Sequence, residues 1–450
     1  MAEDEKSKRT LVRNRWAWYF YDFGNSAYAA VVLLAVYSAY FKEKVVGGAE
    51  GSRLWGVSVG IAMLCVALIS PVLGAIADFS ASKKKLLLVF TAVACGFTAL
   101  LSLVGEGDVV MGMVFFILAE VGYRGAQVFY NSLLPEIAEP DDIGRVSGIG
   151  WALGSAGGVL CLLIILPLIM IFKGPIMIRL SFIITAVYFA LASIPIFTRF
   201  KEAGAGQPLP EGHNYLTFGF ARTWETIRRA GRYGEFLKFV GSFLIYNDGI
   251  MMAMNFASII GAVLFGMGQT DLIIFVIIVQ VTNVAGAYVL GHLVDRLGGK
   301  RALVLSIGLM VTAVVMMFFT KTASFFFLVG GLAGFAMAGM QSVSRTMVGV
   351  LSPVGQSAEF YGFFAVAGRT SSFIGPTIYG LVAYRVAKWY ERIHGVTSVV
   401  AEQAGQRAAI LSIGLFLLVG LSVLLTVDER RARRAYRVAV EAKGVAAGAE

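Results

Sequence analysis

Long apolar runs separated by short charged breaks dominate the chain. Twelve such runs can be read along it: 16–41, 54–77, 86–104, 109–134, 146–172 and 176–197, then 236–264, 272–294, 302–320, 324–350, 360–386 and 408–427. Each is on the order of twenty residues, the length at which a helix crosses the hydrocarbon core of a bilayer. A helix also satisfies its own backbone hydrogen bonds, which lipid cannot do. The pattern predicts an all-α integral membrane protein with twelve transmembrane helices. Between the sixth and seventh runs lies a longer polar stretch, 198–235. It holds Gly204, Gly206, Pro208 and Pro210, then Arg222, Arg228, Arg229 and Arg232. This composition predicts a linker with a short amphipathic helix lying on the membrane surface. The expected organisation is a six-span half over 1–197, the linker over 198–235, and a second six-span half with a basic tail over 236–450.

Composition agrees with lipid as the solvent. Of 450 residues, 58% are hydrophobic and 15% charged, against roughly 25% charged in a soluble chain. The 52 glycines suit closely packed membrane helices. The net charge of +10 does not imply nucleic acid, because the basic residues collect in short loops and tails, as on a cytoplasmic membrane face. Counted from an inside N-terminus, roughly 24 Lys and Arg fall on one side and roughly 10 on the other. Both termini and the linker are therefore expected to be cytoplasmic. Lys388, Arg392 and Arg407, on the opposite side, run against the bias. The charged segment 1–15 and the long first run predict no cleavable signal. Cys65, Cys95 and Cys161 lack metal-ligand spacing, and His213, His292 and His394 fall in loops or at span ends. No metal and no cofactor are expected.

The two halves repeat. Tyr21 and Gly24 recur as Tyr246 and Gly249, 225 positions on; Gln127, Gly148 and Gly154 recur as Gln341, Gly362 and Gly368, 214 positions on. Two loops share a motif as well. One holds Gly74, Asp78 and the run Lys83-Lys84-Lys85; the other holds Gly291, Asp295, Arg296, Gly298, Lys300 and Arg301. Glycine permits close helix contact, aspartate can cap or pair with a neighbouring helix end, and the basic residues hold the loop at the headgroups.

These loops resemble the major facilitator signature G-x-x-x-D-R-x-G-R-K/R, with Phe79 in place of the basic residue in the first copy. Finer strings are Tyr21-Asp22-Phe23-Gly24-Asn25-Ser26-Ala27-Tyr28, Phe129-Tyr130-Asn131-Ser132-Leu133-Leu134-Pro135-Glu136-Ile137 and Ser147-Gly148-Ile149-Gly150-Trp151-Ala152. They resemble the bacterial "unknown major facilitator" family, related to the yeast vacuolar amino-acid effluxer associated with autophagy. The superfamily resemblance covers nearly the whole chain; the narrower one rests on the N-terminal half. It implies the major facilitator fold, two pseudo-symmetric six-helix bundles around a polar cavity, and secondary transport such as amino-acid efflux.

Polar residues at membrane depth are costly and usually face a cavity or one another. In the fourth run Glu120, Arg124, Gln127 and Asn131 fall on one helical stripe flanked by Tyr123. Arg124-x-x-Gln127 resembles the superfamily's R-x-x-Q-G motif, which implies that the arginine holds a carboxylate for proton coupling. A Glu–Arg pair that merely positions helices is the plainer alternative. Asp22 and Asn25 share a face of the first run, with Trp18, close to its start, expected as an interface anchor. Asn247 and Asp248 lie near the middle of the seventh run, Gln280 and Asn283 in the eighth, Gln341 and Arg345 in the tenth, and Arg369 in the eleventh. The arginines suit counter-charges or anion contacts; snorkelling to the surface is equally open for Arg345. Gly150, Gly154 and Gly158 suit close packing.

No phosphate-binding glycine loop and no nucleophile or metal constellation stands out, so neither direct ATP drive nor an enzyme is expected. The function expected is a monomeric secondary transporter of a small polar solute in a cell membrane. It would work by alternating access with protons as the coupling ion. Carboxylates together with arginines suit zwitterions, amino acids or short peptides first. A sugar or organic anion, or a solute sensor on a transporter scaffold, are the alternatives.

Overall fold

The computed structural model describes residues 2–46, 48–139, 142–172, 174–202, 214–228, 233–267, 269–353 and 356–429, and among these there is no strand. The first span starts as Ala2–Tyr28 and loosens into π-turns over Ala29–Ala35 and Phe41–Val46, around the short helix Tyr37–Tyr40. Spans two to six are Gly48–Ser80, Lys83–Leu100, Val109–Ser132, Ile143–Ile171 and Pro175–Thr198. The linker contains the helix Tyr215–Arg228. Spans seven to twelve are Gly234–Phe265, Gln269–Leu297, Gly299–Phe319, Ala323–Leu351, Ser357–His394 and Ser398–Leu425. Among the described residues, nine helices are long and apolar enough to cross a membrane, and Gly234–Phe265 makes a tenth when its two arms are joined. The first span, interrupted by its π-turns, and the eleventh, which carries Pro376, complete the twelve.

The chain forms two compact units. One comprises Met1–Pro140, Ile149–Arg228 and Pro353–Ala365; the other comprises Asp141–Gly148, Arg229–Ser352 and Val366–Glu450. The first unit thus takes in the beginning of the eleventh span, and the second takes in the beginning of the fifth. Packing repeats inside the units. In the first, span one lies on six, two on four, and three on both four and six; in the second, seven lies on twelve, eight on ten, and nine on both ten and twelve.

Helix ends repeat too, through residues that no motif announces. At the start of span three the N–H groups of Lys83 and Lys84 donate to the Glu202 carboxylate at 2.8 and 3.2 Å. At its far end Arg179 donates to the carbonyls of Ser102 and Leu103, both at 2.7 Å. In the second unit Gly299 and Lys300 donate to Glu429 at 2.9 and 2.7 Å, and Arg407 donates to the Phe318 and Thr320 carbonyls at 2.9 and 3.4 Å. An anion at the N-terminus and a cation at the C-terminus both match the helix dipole. Arg407, which ran against the charge bias, is a helix cap.

Trp18 does not take the place of an interface anchor that its position near the start of the span suggests. It is fully buried, not at an interface. Its Nε1 donates to the Tyr130 carbonyl at 2.9 Å, and its ring stacks on Tyr130 with centroids 4.5 Å apart.

Candidate functional site

In the first unit the fourth-span stripe forms one chain of bonds at membrane depth. Arg124 Nε donates to Glu120 Oε1 at 2.7 Å, and Arg124 Nη1 reaches Gln127 Oε1 at 3.4 Å. Gln127 Nε2 donates to Tyr123 Oη at 3.0 Å. The Arg124 guanidinium lies 4.9 Å from the Tyr123 ring centroid, and Tyr123 stacks on Tyr28 at 4.5 Å. Tyr28 is the last α-helical residue before the π-turns of the first span, a local widening often found at functional positions.

Two buried groups in this cluster make no hydrogen bond among the described residues: Glu120 Oε2 and the Tyr28 hydroxyl. They lie within side-chain hydrogen-bonding reach of each other, so a small rotation would pair them. A buried polar atom left unbonded costs about 1–3 kcal/mol, so it usually marks a place for water, an ion or a ligand. Asn25 Oδ1, one helical turn before Tyr28, is in the same condition. Asp22 is buried beside Gly154, where a Cβ would stand 2.9 Å from its Cγ. Asn131 is half-buried at the end of the stripe.

In the second unit the buried Asp248 accepts the Gly375 N–H at 2.7 Å, just before Pro376 in the eleventh span. Its neighbour Asn247 accepts from Gln341 Nε2 at 3.3 Å. Arg345 is buried; its Nε donates to Ser147 Oγ at 3.1 Å and its Nη2 to the Ser147 carbonyl at 2.6 Å. Its guanidinium holds the start of the fifth span and does not snorkel to a surface. Asn283 is buried and Gln280 half-buried. The side chain of Arg369 lies outside the described residues.

The loop motifs each place an aspartate on the start of another helix. In the first unit Asp78 Oδ2 accepts the Glu359 N–H at 2.9 Å, at the N-terminus of the eleventh span. Asp78 Oδ1 pairs with Lys83 Nζ at 3.1 Å. The same buried ammonium reaches Glu136 Oε1 at 2.7 Å and Ser357 Oγ at 2.9 Å. Lys83 thus supplies the cation that the signature places one residue after the aspartate. Phe79, standing there instead, packs on Phe218 of the linker helix, with centroids 4.1 Å apart. Gly74 lets the helices touch: a Cβ on it would strike the Ala358 carbonyl.

In the second unit Asp295 accepts the N–H groups of Gly144 at 3.0 Å and Arg145 at 3.1 Å, at the N-terminus of the fifth span. Gly291 and Gly148 cross so closely that a Cβ on Gly148 would stand 2.7 Å from the Gly291 Cα. Lys300, at the motif position of Lys83, instead donates to the Leu425 and Val427 carbonyls at 2.6 and 2.7 Å. Arg296 and Arg301 are exposed. The two copies share their aspartates but not their ion pairs. Spacing could place Asp78 and Asp295 at helix ends; Glu136, Glu202, Glu359 and Glu429 gave no comparable signal.

Membrane-spanning helices in two repeated units, with polar clusters at membrane depth and carboxylates on helix starts, define a major facilitator transporter. Residues 56–437 match the family described as "Vacuole effluxer Atg22 like", and the chain belongs to that family. It is 26% identical over 424 residues to the uncharacterised MFS-type transporter YxiO of Bacillus subtilis, across 92% of this chain and 94% of that one. It is 25% identical over 310 residues to autophagy-related protein 22 of Yarrowia lipolytica, across 62% of this chain and 50% of the relative. Two solved structures show the same fold at low identity. The transporter FucP in its outward conformation has a TM-score of 0.67 at 11% identity, over 91% of this chain and 98% of that one. The human organic anion transporter MFSD10 has a TM-score of 0.67 at 13% identity, over 93% and 99%. The chain is therefore a multi-pass membrane transporter of the major facilitator type and not an enzyme.

Proposed function

We propose that the chain is a proton-coupled secondary transporter that exports a small zwitterionic solute, an amino acid or short peptide, by alternating access. Both termini and the linker face the cytoplasm, and the protein acts as a monomer. The observation that carries the reading is the Glu120–Arg124 pair. Glu120 is fully buried, one oxygen bound by Arg124 and the carboxylate within hydrogen-bonding reach of the Tyr28 hydroxyl. A carboxylate in this position can pass between a charged state held by the arginine and a protonated state when solute competes for that arginine. Asp248, buried and held by a backbone N–H, is the second candidate carrier. The family's description as an effluxer supports the direction. Asp78 and Asp295 serve the gating: each holds a helix start by contacts that a change of state can release.

The test compares wild type, Glu120→Gln and Asp248→Asn in proteoliposomes. It measures pH-gradient-driven accumulation and solute exchange separately, with a thermal-shift screen choosing the solute. Loss of accumulation with exchange preserved identifies the carrier. Accumulation in both variants removes both residues from that role, and a wild type indifferent to the gradient indicates sodium coupling or uniport. Stabilisation by sugars alone would end the zwitterion reading; binding without any flux would identify a sensor.

A further inference from the structure

The linker helix Tyr215–Arg228 has two different long faces. One is committed to the second span. Phe218 packs on Phe79, Thr223 is buried, and a Cβ on Gly219 would stand 2.7 Å from Ile76 Cγ1 and 3.1 Å from Val72 Cγ1. The absent Gly219 side chain is what lets the helix lie flat against these turns. They are the final turns of the span, whose apolar stretch ends at Ser80, so the helix rests where a membrane helix leaves the hydrocarbon.

The opposite face carries Phe220, Trp224 and Arg228, four residues apart and therefore on one stripe. Phe220 and Trp224 are 61% and 56% exposed. The Arg228 guanidinium lies over the Trp224 ring, 5.4 Å from its centroid. Large aromatics in open water are unfavourable, but at the headgroup level an indole or phenyl ring meets both an apolar and a wet environment. The charge of the segment selects among headgroups. Residues 222–232 contain four arginines, Arg222, Arg228, Arg229 and Arg232, against the single Glu225.

We propose that this stripe is a binding face for anionic phospholipid headgroups: Phe220 and Trp224 enter the interface and Arg228 pairs with the lipid phosphate. The arrangement matches an interfacial amphipathic helix with aromatics below and basic groups at the headgroups. It also accounts for Phe79, since the same helix that contacts lipid on one side rests on that residue with the other.

The test uses the full chain reconstituted in vesicles of phosphatidylcholine, alone or mixed with phosphatidylglycerol, with bromine on the acyl chains of one lipid at a time. The Trp224 signal is the difference in tryptophan fluorescence between wild type and Trp224→Phe. We expect quenching by both brominated lipids, stronger for phosphatidylglycerol by about five-fold in relative affinity. Arg228→Gln should lower the preference by about five-fold while leaving the quenching. No quenching of the Trp224 signal by either lipid overturns the proposal. So does equal quenching by both lipids, which would make the face an unselective anchor. Loss of the preference on adding inorganic phosphate at matched ionic strength would assign Arg228 to a free anion and likewise overturn it.

Discussion

Asp78 and Asp295 occupy the same place in the repeat, yet removing their charges should have unequal effects. In Asp295→Asn the amide oxygen can still accept from Gly144 or Arg145, so the loss is mainly the interaction of the negative charge with the start of the fifth span. For a half-buried carboxylate at a helix N-terminus that is about 1 kcal/mol. Asp78→Asn also deprives the buried Lys83 of one of its two carboxylates. Breaking a buried ion pair costs about 3–5 kcal/mol, and the lower end applies because Glu136 remains. At 1.4 kcal/mol per factor of ten, the local opening equilibrium should rise about five-fold at the start of span five in Asp295→Asn. It should rise roughly a hundred-fold at the start of span eleven in Asp78→Asn. Hydrogen exchange followed by mass spectrometry reads this directly, because the amides of Gly144, Arg145 and Glu359 are the donors concerned. Each variant should deprotect only its own helix start. Equal deprotection by both variants would mean that the Lys83 network adds nothing. Unchanged exchange at Gly144 and Arg145 in Asp295→Asn would show that its carboxylate does not hold that helix.

Glu202 tests the helix caps. Burial pushes its carboxyl above the usual range despite the N–H groups it accepts, so its contribution to stability is greatest below the ordinary carboxylate pKa and declines as pH rises through the elevated value. Glu202→Gln, which keeps one of the two acceptor oxygens and loses the charge, should lower thermal stability in detergent at neutral pH by less than the removal of both oxygens does. Glu202→Ala, which leaves the Lys83 and Lys84 amides without it, should cost about 1 kcal/mol; equal behaviour of the two variants would remove the cap interpretation. For orientation, a single cysteine at Thr217 should react with an impermeant thiol reagent only after the cell membrane is opened, and labelling of intact cells would invert the topology.

The chain's own pattern determined the apolar helices and the repeat, because these follow from local and periodic quantities. An apolar run long enough to cross a bilayer must become a helix whatever lies next to it. The stripe of Glu120, Arg124 and Gln127 was equally legible, since helical geometry places residues three and four apart side by side. The departures came where contacts join distant positions. Trp18 lies near the start of its span, and only the fold brings Tyr130 over its ring. Phe79 read as a gap in the motif because its packing on Phe218 cannot be counted along the chain, and because the cation stands five residues after Asp78, past a break between helices, where the signature puts it one residue after. Asp78 and the Glu359 amide are 281 residues apart, and Asp295 and the Arg145 amide 150 apart. Glu202 and Glu429 carry no signal in sequence because a carboxylate after a span is ordinary until a helix start arrives against it. Arg345 could have reached solvent or a solute by its position alone, and the start of the fifth span, placed by tertiary packing, took its guanidinium instead.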